Sequence, residues 1–359
     1  NTTGIDVFID GHSHETYDQV VQNADGEDVY LAQTGTKLAN IGKIVIDTAT
    51  GEIAAELVSG YAEQDPDTAA FVAQVNEEFA GVLQEVVAQT GVALTTLDPV
   101  TGERAVRNAE TNLGDLCADA YRVMLGADIG WVNGGGVRDN IAAGDITYGD
   151  IIAVHPFGNL ACLVEVTGQQ ILDALELGSM QVGVSENGGF LQVSGLKYTI
   201  DPSIPTSVQL DDAGNFVSVT GTRRVSNVQV LDSETGTYAP IDPTATYTLA
   251  SHNYMLKDGG DGYAMFGADN ITILKDEVMV DNEVLINYIK DELGGVVGQQ
   301  YANPKGDGRI TILSASAEPI TRGEAYQALY ELAGKPAVAD KATFTDVTGK
   351  SYADAAAWA

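Results

Sequence analysis

The chain is poor in cations. Its 359 residues carry 18 Lys and Arg against 51 Asp and Glu, a formal net charge of −33. Surfaces for nucleic acid or anionic lipid need clustered Lys and Arg, so the composition argues strongly against both as partners. Long apolar runs are also missing. No stretch reaches the roughly 18 apolar residues that a membrane-spanning helix needs. Cysteine is nearly absent. Cys117 and Cys162 each lie in an apolar run and read as small buried hydrophobes, pairing being the alternative. There are only four histidines, at positions 12, 14, 155 and 252, which limits any His-based metal centre. The chain opens without Met and without a signal peptide, and it stops at Ala357-Trp358-Ala359 inside an apparent helix. It therefore reads as a piece cut at both ends.

What the chain has is apolar mass and glycine-rich turns. At 44% apolar residues it can bury a sizeable core, and its length allows two or more domains. Residues 1–64 read as strands and turns, including 28–32 and 42–47. Asp65 and Pro66 then form a helix start. Phe71, Val75, Phe79, Val82 and Val86 follow at helical spacing, predicting one apolar face that ends near Gly91. From 91 to 313 short strands alternate with helical stretches, at 112–125 and 168–177 among others. That alternation predicts an α/β (α+β) domain with a mixed sheet. Ser314–Pro319 reads as a linker of small residues, and 320–359 as a short helical unit too small to be stable alone.

The most informative stretch is Asn133-Gly134-Gly135-Gly136-Val137-Arg138. It follows an apolar run, Ala127–Val132, that reads as a buried strand. Three glycines at a strand end let the backbone turn tightly and approach a ligand. The guanidinium beside them offers a planar fork of donors suited to phosphate or carboxylate. In so acidic a protein, a local cationic site or a metal must overcome the field that repels such anions. Two further segments stand out, Pro156-Phe157-Gly158-Asn159 and Gly259-Gly260-Asp261-Gly262-Tyr263. Gly11-His12-Ser13-His14, after a strand-like run, places two imidazoles where one turn lets both reach a metal, a solvated loop being the alternative. Two tempting motifs fail. Gly349-Lys350-Ser351 lacks the first glycine of a phosphate-binding loop, and Gly259–Gly262 lacks the spacing of a dinucleotide fingerprint.

Taken in order, these segments together with Glu110–Leu116, Val166-Thr167-Gly168 and Gly189–Gly195 resemble the C-terminal, substrate-binding domain of the 5'-nucleotidase family. The resemblance runs from about Arg107 to Leu313. Gly11–His14 resembles the last metal-binding motif of the metallophosphoesterase domain that precedes this domain in the family. Ile320–Glu324 and Phe344–Val347 resemble an S-layer homology repeat.

The resemblance implies four parts: the end of a metallophosphoesterase domain at 1–64, a linker helix at 65–90, the substrate-binding domain at 91–313, and a linker with a partial S-layer homology repeat at 314–359. A helix packed on a single domain is the other reading of 65–90. It further implies that Arg107, Asn133 and Arg138 hold the phosphate and its surroundings, that Asp261 takes the ribose hydroxyls, and that Phe157 and Tyr254 clamp the base, core packing being the other reading of both rings. The loop from Tyr254 to Gly259 is one residue longer than the common pattern. His12 and His14 would belong to a two-metal centre, with Zn or Mn as the divalent ions. The family's other ligand motifs are missing, so the fragment alone is expected to be inactive. His155, just before Pro156, and His252, ahead of the glycine-rich loop, are expected either to be structural or to support the site from behind. The expected parent is a secreted, cell-wall-associated hydrolase of nucleoside monophosphates, with cell-wall polymer as the partner of Arg322 and its repeat. The alternatives are a 2',3'-cyclic-nucleotide phosphodiesterase/3'-nucleotidase and a non-catalytic nucleotide-binding surface-layer protein.

Overall fold

The computed structural model describes residues 3–313 together with Gln327, Tyr330 and Lys335. Apart from those three positions, the expected S-layer homology repeat, Arg322 included, lies outside the described residues. The chain divides into two units, one ending at Phe79 and one starting at Ala80.

The smaller unit contains β1 (Val7–Ile9), β2 (Thr16–Gln22), β3 (Asp28–Thr34), β4 (Asn40–Ile46) and β5 (Ile53–Ser59). β3 lies between β1, to which it is parallel, and β2, to which it is antiparallel. β4 and β5 form a hairpin whose turn is held by Asp47 Oδ1, which accepts the Ala49 N–H at 2.8 Å.

Helix α1 (Pro66–Leu83) spans the boundary between the units. Asp65 caps it as the sequence predicts, its Oδ1 accepting the Thr68 N–H at 2.8 Å. The helix ends earlier than expected. It stops at Leu83, and Val86–Thr90 is a strand, β6, paired antiparallel with Gly144–Thr147 and parallel with Val296–Val297. Val86 fits the helical period of Val82, but two ladders of backbone hydrogen bonds and β-branched Val86 and Val87 favour the strand. The predicted apolar face is also uncovered. No α1 residue is buried, and Phe71 and Phe79 are exposed.

The larger unit continues with α2 (Asn112–Leu125), β7 (Ile129–Asn133), β8 (Gly144–Thr147), α3 (Tyr148–Val154), β9 (Ala161–Thr167), α4 (Gly168–Gly178) and β10 (Leu191–Ser194). Next come β11 (Leu196–Ile200), β12 (Val208–Leu210), β13 (Phe216–Val219), β14 (Val225–Asp232), β15 (Thr237–Pro240) and β16 (Thr246–His252). The remaining elements are α5 (Asn253–Leu256), β17 (Thr272–Lys275), α6 (Asp281–Asn287), β18 (Val296–Val297) and β19 (Ile310–Ile312). α2 begins where the Thr111 hydroxyl accepts the Gly114 N–H at 3.1 Å, and it stops where Gly126 turns left-handed at φ 72°. α3 and α4 each open on a reciprocal capping box, Thr147 with Asp150 and Thr167 with Gln170.

The central sheet is mixed, with strand order β10-β7-β16-β9-β17. Every residue of β7 is buried. Ile129 and Trp131 join one core, with Ile171 and Leu175 of α4, while Val132 joins a second core with Leu113 and Leu116 of α2. Burial on both faces explains why the strand reads as a continuous apolar run rather than an alternating one. Cys162 lies in the first core and Cys117 in the second, and both thiols are free.

Candidate functional site

Strand direction brings the chemistry to one edge of the central sheet. β7 and β16 are parallel neighbours, with Leu249 opposite Ile129, so the chain leaves both at the same edge, through Asn133 and His252. β9 and β10 run the other way, with Ala161 opposite His252 and Leu191 opposite Asn133. The segments entering them, 157–160 and 186–190, therefore arrive at that edge too. The carboxyl ends of parallel strands are where open α/β sheets hold ligands.

The glycine turn has a packing role that its sequence did not show. Gly134–Gly136 is one turn of 3₁₀-helix, and its glycines make room for protein. A Cβ on Gly134 would lie 2.2 Å from the Val106 carbonyl oxygen, and one on Gly136 would lie 2.7 Å from Asn133 Oδ1. The close approach thus locks the Val106-Arg107 backbone against the turn. The Arg107 carbonyl then accepts the Asn187 N–H at 3.0 Å, tying in the 186–190 segment.

This packing gathers positive charge. Arg107 is half-buried, and its Nε is a buried atom with no hydrogen-bond partner. Burial, then repulsion from Arg104 and Arg138, pushes its guanidinium down to about 10. Burial and Arg104 also lower Arg138. Arg104 itself is ion-paired with Glu186, its Nε donating to Oε2 at 2.7 Å. Arg138 lies with its Cζ 5.7 Å from the centroid of the Phe157 ring. A protein of net charge −33 thus concentrates three guanidinium groups at one sheet edge.

Beside them runs a relay of hydrogen bonds. The Asn133 amide donates to Asp261 Oδ2 at 2.6 Å, and its carbonyl oxygen lies 3.1 Å from His252 Nε2. A carboxylate accepts only, so the amide NH₂ faces Asp261 and His252 carries its proton on Nε2. His252 is fully buried, and that burial, then His155, pulls it down to about 3. Burial likewise lowers His155 to about 4, with its Nδ1 3.3 Å from the Gly136 carbonyl. Both imidazoles stay neutral across physiological pH, so the relay does not change charge there. On the far side, the Tyr254 hydroxyl donates to Asp261 Oδ1 at 2.8 Å and accepts the Asp261 N–H at 3.1 Å. The longer loop after Tyr254 thus folds its end back onto the tyrosine.

Phe157 and Tyr254 are not core residues. Phe157 is 59% exposed and Tyr254 39%, where large aromatic rings ordinarily bury. Sequence reasoning missed the partners of His252 and the hydroxyl bridge of Tyr254. A Tyr seven residues ahead of an Asp in a glycine loop was the available signal.

The two metal-ligand candidates lie in the smaller unit. His12 is exposed and His14 half-buried, and both have left-handed backbone, at φ 75° and 64°. The strained turn falls on the histidines and not on Gly11. Among the described residues neither belongs to a group of three side chains able to share a metal. Two imidazoles do not make up the donor set of a two-metal centre, so these residues alone do not fit it, and no chemical step is assigned to them. The described residues do bring Glu110, Asp115 and Asp307 together. There the Glu110 oxygens accept the N–H groups of Gly308 and Ile310 at 2.8 and 2.7 Å, and Arg309 Nε donates to Asp307 at 2.9 Å. This cluster is a clasp that ties the start of α2 to the loop before β19.

Comparison with known proteins agrees with this architecture. Residues 86–268 match the model of the 5'-nucleotidase C-terminal domain, which begins at the first residue of β6. The chain is 32% identical over 322 residues to the trifunctional nucleotide phosphoesterase protein YfkN of Bacillus subtilis, covering 86% of this chain and 20% of that protein. It is 27% identical over 350 residues to the cell wall protein Lmo0130 of Listeria monocytogenes, covering 91% of this chain and 40% of that one. Among solved structures, it superposes on the 5'-nucleotidase precursor of Thermus thermophilus with a TM-score of 0.67 and 30% identity, over 86% of this chain and 59% of that one. The chain thus spans under half the length of these two curated relatives.

Proposed function

The chain belongs to the 5'-nucleotidase family, and from that premise we propose that it is the nucleotide-binding part of a metal-dependent hydrolase that releases phosphate from nucleoside 5'-monophosphates. One observation carries the reading: at a single sheet edge, converging guanidinium groups lie beside a fixed carboxylate and two exposed aromatic rings. Those are the three chemistries of a nucleotide. Arg107 and Arg138 would meet the phosphate, for which a guanidinium fork is well shaped. Asp261 would accept from the ribose hydroxyls, since each carboxylate oxygen keeps a free lone pair after its bond to Tyr254 or Asn133. Phe157 and Tyr254 would stack on the base, a contact that tolerates any base.

Hydrolysis itself is assigned to the longer parent protein, since His12 and His14 supply only part of a metal centre. The name of the Bacillus relative, a trifunctional nucleotide phosphoesterase, favours a second reading within the same chemistry, a broader nucleotide phosphoesterase. The Listeria relative supports a place at the cell wall, where the 314–359 segment would engage a wall polymer, and it leaves room for a purely binding surface protein.

Phe157→Ala tests the site. It is expected to weaken adenosine binding by about 1–3 kcal/mol, the worth of one base–aromatic stack. The same substitution should shift thermal stability far less than truncating a core Phe, which costs about 3–5 kcal/mol. Unchanged binding together with a large loss of stability would move Phe157 out of the site.

A further inference from the structure

The Tyr254 hydroxyl bridges two atoms of one residue. It accepts the backbone N–H of Asp261 at 3.1 Å and donates to the Oδ1 of the same residue at 2.8 Å. Asp261 needs such a hold. It is a non-glycine residue in the left-handed region, at φ 54°, a conformation that costs free energy unless its surroundings fix it. Asn133 holds the other carboxylate oxygen at 2.6 Å. The ring that carries the hydroxyl is itself held in place. It lies so close over Gly260 that a Cβ there would be 2.4 Å from its Cζ. Burial and the neighbouring Asp261 push the phenol up to about 12, so it remains a donor at physiological pH.

We propose that the Tyr254 hydroxyl is the selectivity element of this site for ribonucleosides, because it locks the Asp261 carboxylate in the position that receives the vicinal ribose hydroxyls. This inference rests on the nucleotide-binding reading above. A locked carboxylate rejects a ligand without hydroxyls, because its aimed acceptors then go unpaired. A carboxylate free to swing into water does not. Tyr254 thus acts twice, through its ring on the base and through its hydroxyl on Asp261.

The test is equilibrium binding of adenosine and 2',3'-dideoxyadenosine to the full chain and to Tyr254→Phe, with amide hydrogen exchange at Asp261 as a second readout. The unmodified chain should prefer adenosine. In Tyr254→Phe that preference should fall by about fivefold, the scale of one hydrogen bond. The Asp261 amide, having lost its acceptor, should exchange faster. Gly260→Ala should produce the same fall by displacing the ring without removing its hydroxyl, and it serves if Tyr254→Phe does not fold. A folded Tyr254→Phe that keeps the full preference and slow exchange overturns the inference while leaving nucleoside binding intact. Equal binding of both nucleosides by the unmodified chain overturns it as well. No binding of adenosine at all by the unmodified chain overturns the underlying reading, and the inference with it.

Discussion

Arg309→Met is expected to destabilise the larger unit by about 3–5 kcal/mol at neutral pH, the usual cost of removing one partner from a buried charge network. Arg309 donates to both oxygens of Asp119 at 2.8 Å and to the Val193 carbonyl at 2.9 Å. It also lies 3.6 Å from Asp115. Asp119 and Asp115 are 8% and 2% exposed, so methionine would strand buried carboxylates. The deficit should depend on pH. Burial holds Asp115 well above the usual carboxylate range, and the Arg309 charge pulls it back. Without Arg309 its folded-state pKa rises further. A carboxyl raised in the folded state adds stability that is fully present below its unfolded value, about 3.9, and is lost as pH climbs through the folded value. The deficit should therefore shrink as pH falls from 7 towards about 4. Urea unfolding at both pH values checks this. A loss below about 1 kcal/mol, the level of an exposed pair, or one independent of pH, contradicts the network.

Arg107→Met should cost function and spare the fold. Removing one charged donor from a bound phosphate should weaken AMP by roughly 10- to 100-fold, the range of a charge-assisted hydrogen bond. Adenosine, which has no phosphate, should lose little. Stability should hold or rise, because the variant removes a half-buried guanidinium that two others repel and whose Nε has no partner. Titration with both ligands, alongside thermal unfolding, separates the outcomes. Equal losses for AMP and adenosine, or a marked drop in melting temperature, would make Arg107 a structural residue.

How much the sequence revealed depended on how local the cause was. Helix 112–125 was legible to the residue because its signals are adjacent: Thr111 at one end and Gly126 at the other. β7 was legible because burial on both faces leaves an uninterrupted apolar run. The end of α1 was not, since Val86 satisfies the helical period and only its pairing with Gly144–Thr147, some 60 residues on, makes it a strand. The glycine turn was located correctly, but its purpose was hidden: the backbone that Gly134 admits belongs to Val106, from another segment. Of the site, the residue types and their order were readable. The hydrogen bonds that link Asn133 to His252 and Asp261 were not, because they join β7 to residues about 120 positions later. Arg309 was overlooked for the same reason. Its partner Asp119 lies 190 residues earlier.

Calorimetric titration of the intact chain with AMP tests the central claim most directly. The account predicts saturable binding at a single site, displaced by adenosine and weakened in Phe157→Ala and Arg107→Met. The absence of saturable heat up to millimolar AMP, or binding that neither substitution alters, would contradict it.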